Sequence, residues 1–79
     1  MITPTPEQLT AALRHLRWQS GTADQVLAEI EAVHMYPPIP DRRLDWLAQF
    51  KGQEEGLQGW GKTREEAIGD LLNECEEAA

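Results

Sequence analysis

The sequence has little cysteine and little histidine: one Cys, at position 75, and two His among 79 residues. A single thiol cannot form an intramolecular disulfide, so a disulfide-stabilised fold is excluded and a reducing, cytoplasmic compartment is expected. A structural zinc site would need several carboxylate ligands, because His15, His34 and Cys75 are too few and too widely spaced to form one. We therefore expect no metal and no cofactor, and we interpret Cys75 as a buried inert thiol, the alternative being a redox or intermolecular role.

Basic residues and long apolar runs are scarce as well. Seven Lys and Arg side chains stand against fourteen Asp and Glu, which gives a net charge of −7. Affinity for nucleic acid comes largely from Lys and Arg that displace counterions, so the expected partner is a basic protein and not a nucleic acid. No apolar run approaches the roughly 18 residues of a membrane span, and residues 1–4 lack the features of a signal peptide. We expect a soluble cytoplasmic protein without a membrane partner.

What the sequence does contain is a set of helix-start signals. Thr5, Thr22 and Thr63 are each followed three residues later by Gln or Glu, the spacing of a capping box, in which each of the two side chains accepts a backbone N–H. The first two signals predict helices over residues 6–18 and 23–34, with Gly21 as a left-handed residue between them. The short connection predicts an antiparallel αα-hairpin. The predicted apolar faces are Leu9, Ala12, Leu13 and Leu16 in the first helix and Val26, Leu27, Ile30 and Val33 in the second.

The second half predicts a different architecture. Residues 36–41 are rich in proline and predict an extended connector. Over residues 44–50 the apolar residues recur at every second position, which indicates a strand, and residues 57–61 indicate the returning strand of a hairpin. Gly59 and Gly61 suggest either a bulge or a close approach by another backbone. With a last helix over residues 64–77, the chain is expected to be one α+β domain: an αα-hairpin, a short antiparallel β-hairpin with an open edge, and a C-terminal helix packed on it.

Signals for catalysis are missing. The glycines at 59 and 61 do not complete a phosphate-binding motif, and Glu65 and Glu66 place negative charge where a phosphate would bind. No Ser or Cys has an evident paired base, and Glu54 and Glu55 fall in a predicted turn. We therefore expect a protein that is not an enzyme.

The candidate binding residues are acidic or aromatic. The last helix ends in Glu74, Glu76 and Glu77 although a helix C-terminus favours cations, which indicates either an acidic binding surface or a solubilising tail. Trp18 and Trp60 fall off the apolar faces of their elements, so each either anchors an interface or packs locally. The full candidate protein-binding set is Trp18, Glu54, Glu55, Trp60, Asp70, Glu74, Glu76 and Glu77.

The segments Leu44-Asp45-Trp46-Leu47-Ala48-Gln49-Phe50 and Gly61-Lys62-Thr63-Arg64-Glu65-Glu66-Ala67-Ile68 resemble the N-terminal domain of HicB-like antitoxins, in the reduced form found in small phage and prophage proteins. The resemblance covers residues 42–77 and implies a helix that opens after a Gly-x-Thr-x-Glu-Glu-Ala pattern and packs on an antiparallel sheet. The family's usual three strands are here expected to be two, and no DNA-binding module follows, so DNA binding is not implied.

Charge and resemblance together predict a non-enzymatic, acidic, protein-binding inhibitor of phage or prophage origin. It is expected to occlude a basic nucleic-acid-binding site on a host protein, in the manner of anti-CRISPR and other anti-defence proteins. The alternative is an antitoxin-like or virion-associated module that acts by homo-oligomerisation, for example as a homodimer formed by strand pairing.

Overall fold

The described residues fold as two helices, a three-stranded antiparallel sheet and a third helix, in that order. The computed structural model describes residues 3–35, 45–52 and 56–78. Its elements are α1 (Pro6–Leu16), α2 (Ala23–Ala28), β1 (Ile30–His34), β2 (Trp46–Phe50), β3 (Gln58–Gly61) and α3 (Arg64–Ala78), with strand order β1-β2-β3. The predicted α+β class and the C-terminal helix on the sheet are confirmed. The predicted proline-rich connector and the turn with Glu54 and Glu55 lie outside the described residues.

The first helix begins where the sequence predicts and ends earlier. Thr5 and Gln8 form both hydrogen bonds of the capping box, at 3.0 and 3.1 Å. The helix stops at Leu16 because Arg17 takes a left-handed conformation, with φ 61°. The prediction that Gly21 is the left-handed residue is therefore wrong. A Cβ at Gly21 would lie only 3.0 Å from Leu13 and 3.2 Å from Trp18, so glycine here lets the chain pass close to both side chains.

The second helix is the largest departure from the sequence prediction. α2 has six residues, and the predicted continuation over 29–34 is instead β1, an edge strand of the sheet. Apolar positions 26, 27, 30 and 33 fit a helical face, but Ile30 and Val33 are β-branched and lower helix propensity. Pairing of β1 with β2 over five residues decides the outcome. The predicted two-stranded β-hairpin is thus part of a three-stranded sheet. Val33, which was predicted to lie on an apolar face, is 44% exposed.

The last helix packs on the sheet through two glycines. A Cβ at Gly59 would lie 2.8 Å from the Cα of Leu71 and closer still to its backbone nitrogen, and a Cβ at Gly61 would lie 2.6 Å from the nitrogen of Ala67. The ladder from β2 continues through both glycines without interruption. Of the two alternatives for these glycines, close backbone approach is confirmed.

The core lies between α3 and one face of the sheet, and α1 packs against α3. Phe50, on the inner face of β2, also contacts the ring of His15 from α1, with ring centroids 5.2 Å apart. The most deeply buried large side chains are Phe50, Leu71, Leu72, Val26 and Cys75. All three helices contribute buried residues to this core, and the strand positions that alternate with the buried ones point to the other face of the sheet.

Candidate functional site

The outer edge of β3 is bonded to side chains of α3. The backbone N–H of Trp60 donates to Oδ2 of Asp70, and the N–H of Lys62 donates to Oε2 of Glu66, both at 2.9 Å. In an antiparallel ladder, alternate residues of a strand bond to the neighbouring strand. Gly59 and Gly61 bond toward β2, so the N–H groups of the residues between and after them point away from β2. The two carboxylates therefore occupy the hydrogen-bonding positions that an added strand would need.

This arrangement corrects one detail of the third capping box. Thr63 accepts the N–H of Glu66 at 3.1 Å, as predicted. The side chain of Glu66, however, reaches the N–H of Lys62 instead of the N–H of Thr63. The glutamate consequently joins the start of α3 to the end of β3, and its charge lies near the positive end of the helix, where it is favourable.

Within the described residues, β1 is the other outer strand of the sheet. Lys51 donates to the carbonyl of Glu29 and Met35 donates to the carbonyl of Asp45, both at 2.9 Å, so the odd-numbered residues of this strand bond toward β2. By the alternation of an antiparallel ladder, the backbone groups of Ile30 and Ala32 point outward. The second outer strand of the sheet is thus a segment for which the sequence pattern predicts a helix.

A shallow groove of about 460 Å³ follows the closed edge. Asp70 and Glu66 lie in it, held by the backbone of β3, and Gln8 from α1 closes one end through a 2.8 Å hydrogen bond to Asn73. Each carboxylate has a second oxygen that can accept a hydrogen bond from a cationic side chain. The other residues that line the groove are Trp60, Gly61, Lys62 and Gly69.

The negative charge of α3 extends beyond this groove. The helix carries one basic residue, Arg64, and six acidic ones, with no basic residue in its last turn. Asp70, Glu74 and Glu77 follow one another at helical spacings of four and three residues, so they share the side that faces the groove. Glu76 lies toward α1, beside Glu7 and Arg14.

The predicted binding residues therefore do not form one cluster. Asp70 and Trp60 meet at the closed edge, with Glu74 and Glu77 continuing along the helix and Glu76 on its other flank. Trp18 is half-buried, packs on the core and lies against Gly21, away from β3. Glu54 and Glu55 lie outside the described residues.

An apolar row on the outer face of the sheet was not predicted. Val33, Leu47 and Trp60 are directly paired across the three strands. All three point away from α3, and Val33 is the one large apolar side chain that is exposed among residues 3–35, 45–52 and 56–78. The prediction that Trp60 lies off the apolar face of its strand is correct, and the missing signal was the strand character of Val33.

Cys75 is buried at 2% exposure and free, as the inert interpretation requires. Burial raises the pKa of the Cys75 thiol to about 11, and the neighbouring Glu74 carboxylate acts in the same direction. The nucleophile is the thiolate, and this pKa lowers the thiolate fraction at neutral pH about a hundredfold relative to an ordinary cysteine. The expected result is that a thiol-specific disulfide reagent at pH 8 labels the protein in concentrated guanidinium and not in buffer. Rapid labelling of the folded protein would contradict the buried placement.

The raised pKa of Cys75 also makes the stability of the fold depend on pH. The folded-state pKa lies above the ordinary value of 9.0, so the unfolded chain loses its proton first as the pH rises. The contribution of the thiol to stability is therefore complete below about pH 9 and is lost as the pH rises through about 11.

The ring of each histidine lies against an aromatic ring. His15 stacks on Phe50, and His34, predicted at a helix end, is in β1 with its ring edge-on to Trp46 at 5.2 Å. Within the described ranges, no three His, Cys, Asp or Glu side chains are grouped so that they could hold a metal ion.

None of the helices in the described part of the chain has the length and hydropathy needed to cross a membrane. No protein-family model, curated protein sequence or solved structure matches this chain.

Proposed function

We propose that the protein is a non-catalytic, acidic inhibitor that binds a basic, nucleic-acid-binding surface of another protein and excludes the nucleic acid. The observation that carries the proposal is the acidic side of α3, in which Asp70 and Glu66 are held in fixed positions by the backbone of β3. Carboxylates that are already fixed lose little side-chain entropy when they bind Lys or Arg. A surface of this kind imitates the spaced negative charges of a phosphate backbone.

The HicB-like resemblance is retained as part of this proposal. The sequence predicted two strands where that family has three, and the structure has three strands ahead of the helix. The Gly61-x-Thr63 junction opens α3 directly after β3. Both features support a phage- or prophage-derived relative of these antitoxin domains, which neutralise a protein partner by occlusion.

The proposal predicts that binding depends on the charge of α3 and not on net charge alone. In the double variant Glu76→Lys with Glu77→Lys, the new cations suit the C-terminus of the helix, so the fold is expected to persist. Loss of these carboxylates should weaken binding to a partner captured from host lysate by at least about tenfold, since opposed charges are replaced by like charges. Affinity of the purified partner is measured by biolayer interferometry at low and high salt.

The matched control is the double variant Asp24→Lys with Glu31→Lys. It makes the same change in net charge at two exposed positions away from α3. The control should keep the affinity of the unmodified protein within about threefold, and that affinity should fall as salt is raised. Equal loss in both variants would show that only net charge matters and would overturn the role assigned to α3.

A further inference from the structure

We propose that two copies of this chain pair antiparallel through α1, about a twofold axis that passes between Thr10 and Ala11. This self-association goes beyond the binding proposed for α3 and uses a different helix. It is measured on the protein alone, without a partner, so it can fail while the proposed function holds.

One stripe of α1 lines a groove at the surface, between this helix and Glu76 of α3. The groove has a volume of about 330 Å³. Glu7, Thr10 and Arg14 are exposed along it, and the buried Ala11 forms its floor. Residues seven, ten, eleven and fourteen follow the helical repeat, so they share one side of α1. The two ends of this stripe carry opposite charges.

The middle of the stripe is formed by small side chains. Thr10 and Ala11 lie between the two charged residues and leave the helix backbone close to the surface. Helices that meet at small residues can approach to about 8 Å between their axes, the near end of the usual range. At that separation, the long side chains of Glu7 and Arg14 can reach across to a neighbouring helix.

Charge complementarity selects a second copy as the occupant of this stripe. Positions 7 and 14 are equally distant from the midpoint between positions 10 and 11. An antiparallel copy related by a twofold axis at that midpoint places Glu7 of each copy opposite Arg14 of the other. Two equivalent Arg–carboxylate pairs result, and each can form parallel hydrogen bonds. The stripe is therefore complementary to itself, as a twofold interface requires.

The same charges exclude the neighbouring arrangements. Parallel helices would place Glu7 opposite Glu7 and Arg14 opposite Arg14, and opposed like charges are unfavourable. An antiparallel axis at position 12 would pair Glu7 with Arg17, but Ala12 is fully buried in the core, so the exposed stripe is not centred there. The axis between Thr10 and Ala11 is the arrangement that satisfies both charge and exposure.

The expected affinity is low. Exposed ion pairs contribute little individually, and two copies that each carry a net charge of −7 repel one another. We expect a dissociation constant of roughly 0.1–1 mM at about 0.15 M salt, where the long-range repulsion is screened. Sedimentation equilibrium from about 10 µM to about 2 mM should show the mass rise from 8.9 kDa toward twice that value. A mass that stays at 8.9 kDa throughout would overturn the proposal.

A charge exchange tests the pairing of Glu7 with Arg14. Glu7→Arg alone and Arg14→Glu alone each oppose like charges, so each should weaken association by at least about tenfold. The double variant with both substitutions restores opposite charges in reversed order and should return the affinity to within about threefold of the original. Both positions are exposed, and circular dichroism checks that the helices persist. A double variant as weak as the single variants would overturn the proposal.

The matched control is Arg17→Glu. It makes the same change in net charge as Arg14→Glu, at an exposed position on the end of the same helix. This variant should keep the original affinity within about threefold, because Arg17 lies outside the paired stripe. If Arg17→Glu weakened association and Arg14→Glu did not, the assigned axis would be wrong.

A cysteine at the axis tests the geometry independently of the charges. The twofold axis brings the two Thr10 side chains together, within reach of a disulfide at the expected helix separation. The variant Thr10→Cys should therefore form an intermolecular disulfide on mild oxidation, while Cys75 remains buried. Glu7→Cys is the control, since its two copies would lie about 10 Å apart along the helices. Cross-linking of Glu7→Cys in place of Thr10→Cys would overturn the proposed axis.

Discussion

The variant Gly59→Ala is expected to lose about 3 kcal/mol or more of unfolding free energy, because α3 packs directly on the backbone of β3 at this residue. The added Cβ would lie 2.8 Å from the Cα of Leu71 and even closer to the carbonyl oxygen of Ala67. Backbone atoms on an intact helix cannot move aside as the end of a side chain can, so α3 must separate from β3. A domain of this size has a total stability of only about 4–12 kcal/mol, so the loss is a large fraction of it.

Urea denaturation followed by tryptophan fluorescence measures this loss. The matched control is Gly52→Ala: a Cβ there meets no atom within 4 Å, and only the positive φ of 77° is unfavourable. The control is expected to lose about 1 kcal/mol. Equal losses in the two variants would show that α3 does not pack on β3 as closely as described.

Phe50→Ala is the second large effect, with an expected loss of about 3–5 kcal/mol. Phe50 is 1% exposed and stands between the sheet and α1, where its ring meets His15. Truncation removes a large apolar surface and leaves a cavity that the surrounding elements can fill only partly. The loss should be accompanied by weaker attachment of α1, visible as faster amide exchange in residues 6–16.

The control for this variant lies on the same strand. Leu47 is half-buried and points to the outer face, so Leu47→Ala should cost about 1 kcal/mol. If Leu47→Ala proved as harmful as Phe50→Ala, the assignment of inner and outer faces of the sheet would be wrong.

The sequence predicted the fold wherever local signals and packing agree. The start of α1 at Thr5, the strand at Trp46–Phe50 and the glycines beside α3 follow from side-chain chemistry within a few residues. The strand character of Ile30–His34 could not be predicted in this way, because its apolar residues satisfy both the helical and the alternating pattern. Pairing with β2, whose residues lie 12 to 20 positions further along the chain than their partners in β1, decides between them.

In the candidate site too, local features could be predicted from the sequence and long-range ones could not. An excess of carboxylates on α3 is visible in the sequence, whereas the hydrogen bond from the backbone of Trp60 to Asp70 is not. The role of Asp70 in closing the edge of β3 depends on how α3 lies across the sheet, which no local pattern encodes. The outer apolar row of Val33, Leu47 and Trp60 requires the register of all three strands.

Competition for nucleic acid measures whether this protein excludes nucleic acid from its partner. A labelled oligonucleotide is bound to the purified partner, and its fluorescence anisotropy is followed as this protein is added. Occlusion of the nucleic-acid-binding surface should return the anisotropy to the value of the free oligonucleotide. The variant Glu76→Lys with Glu77→Lys should require at least about ten times more protein to reach that value. An anisotropy that remains at the bound value while the two proteins form a complex would show that binding does not exclude the nucleic acid.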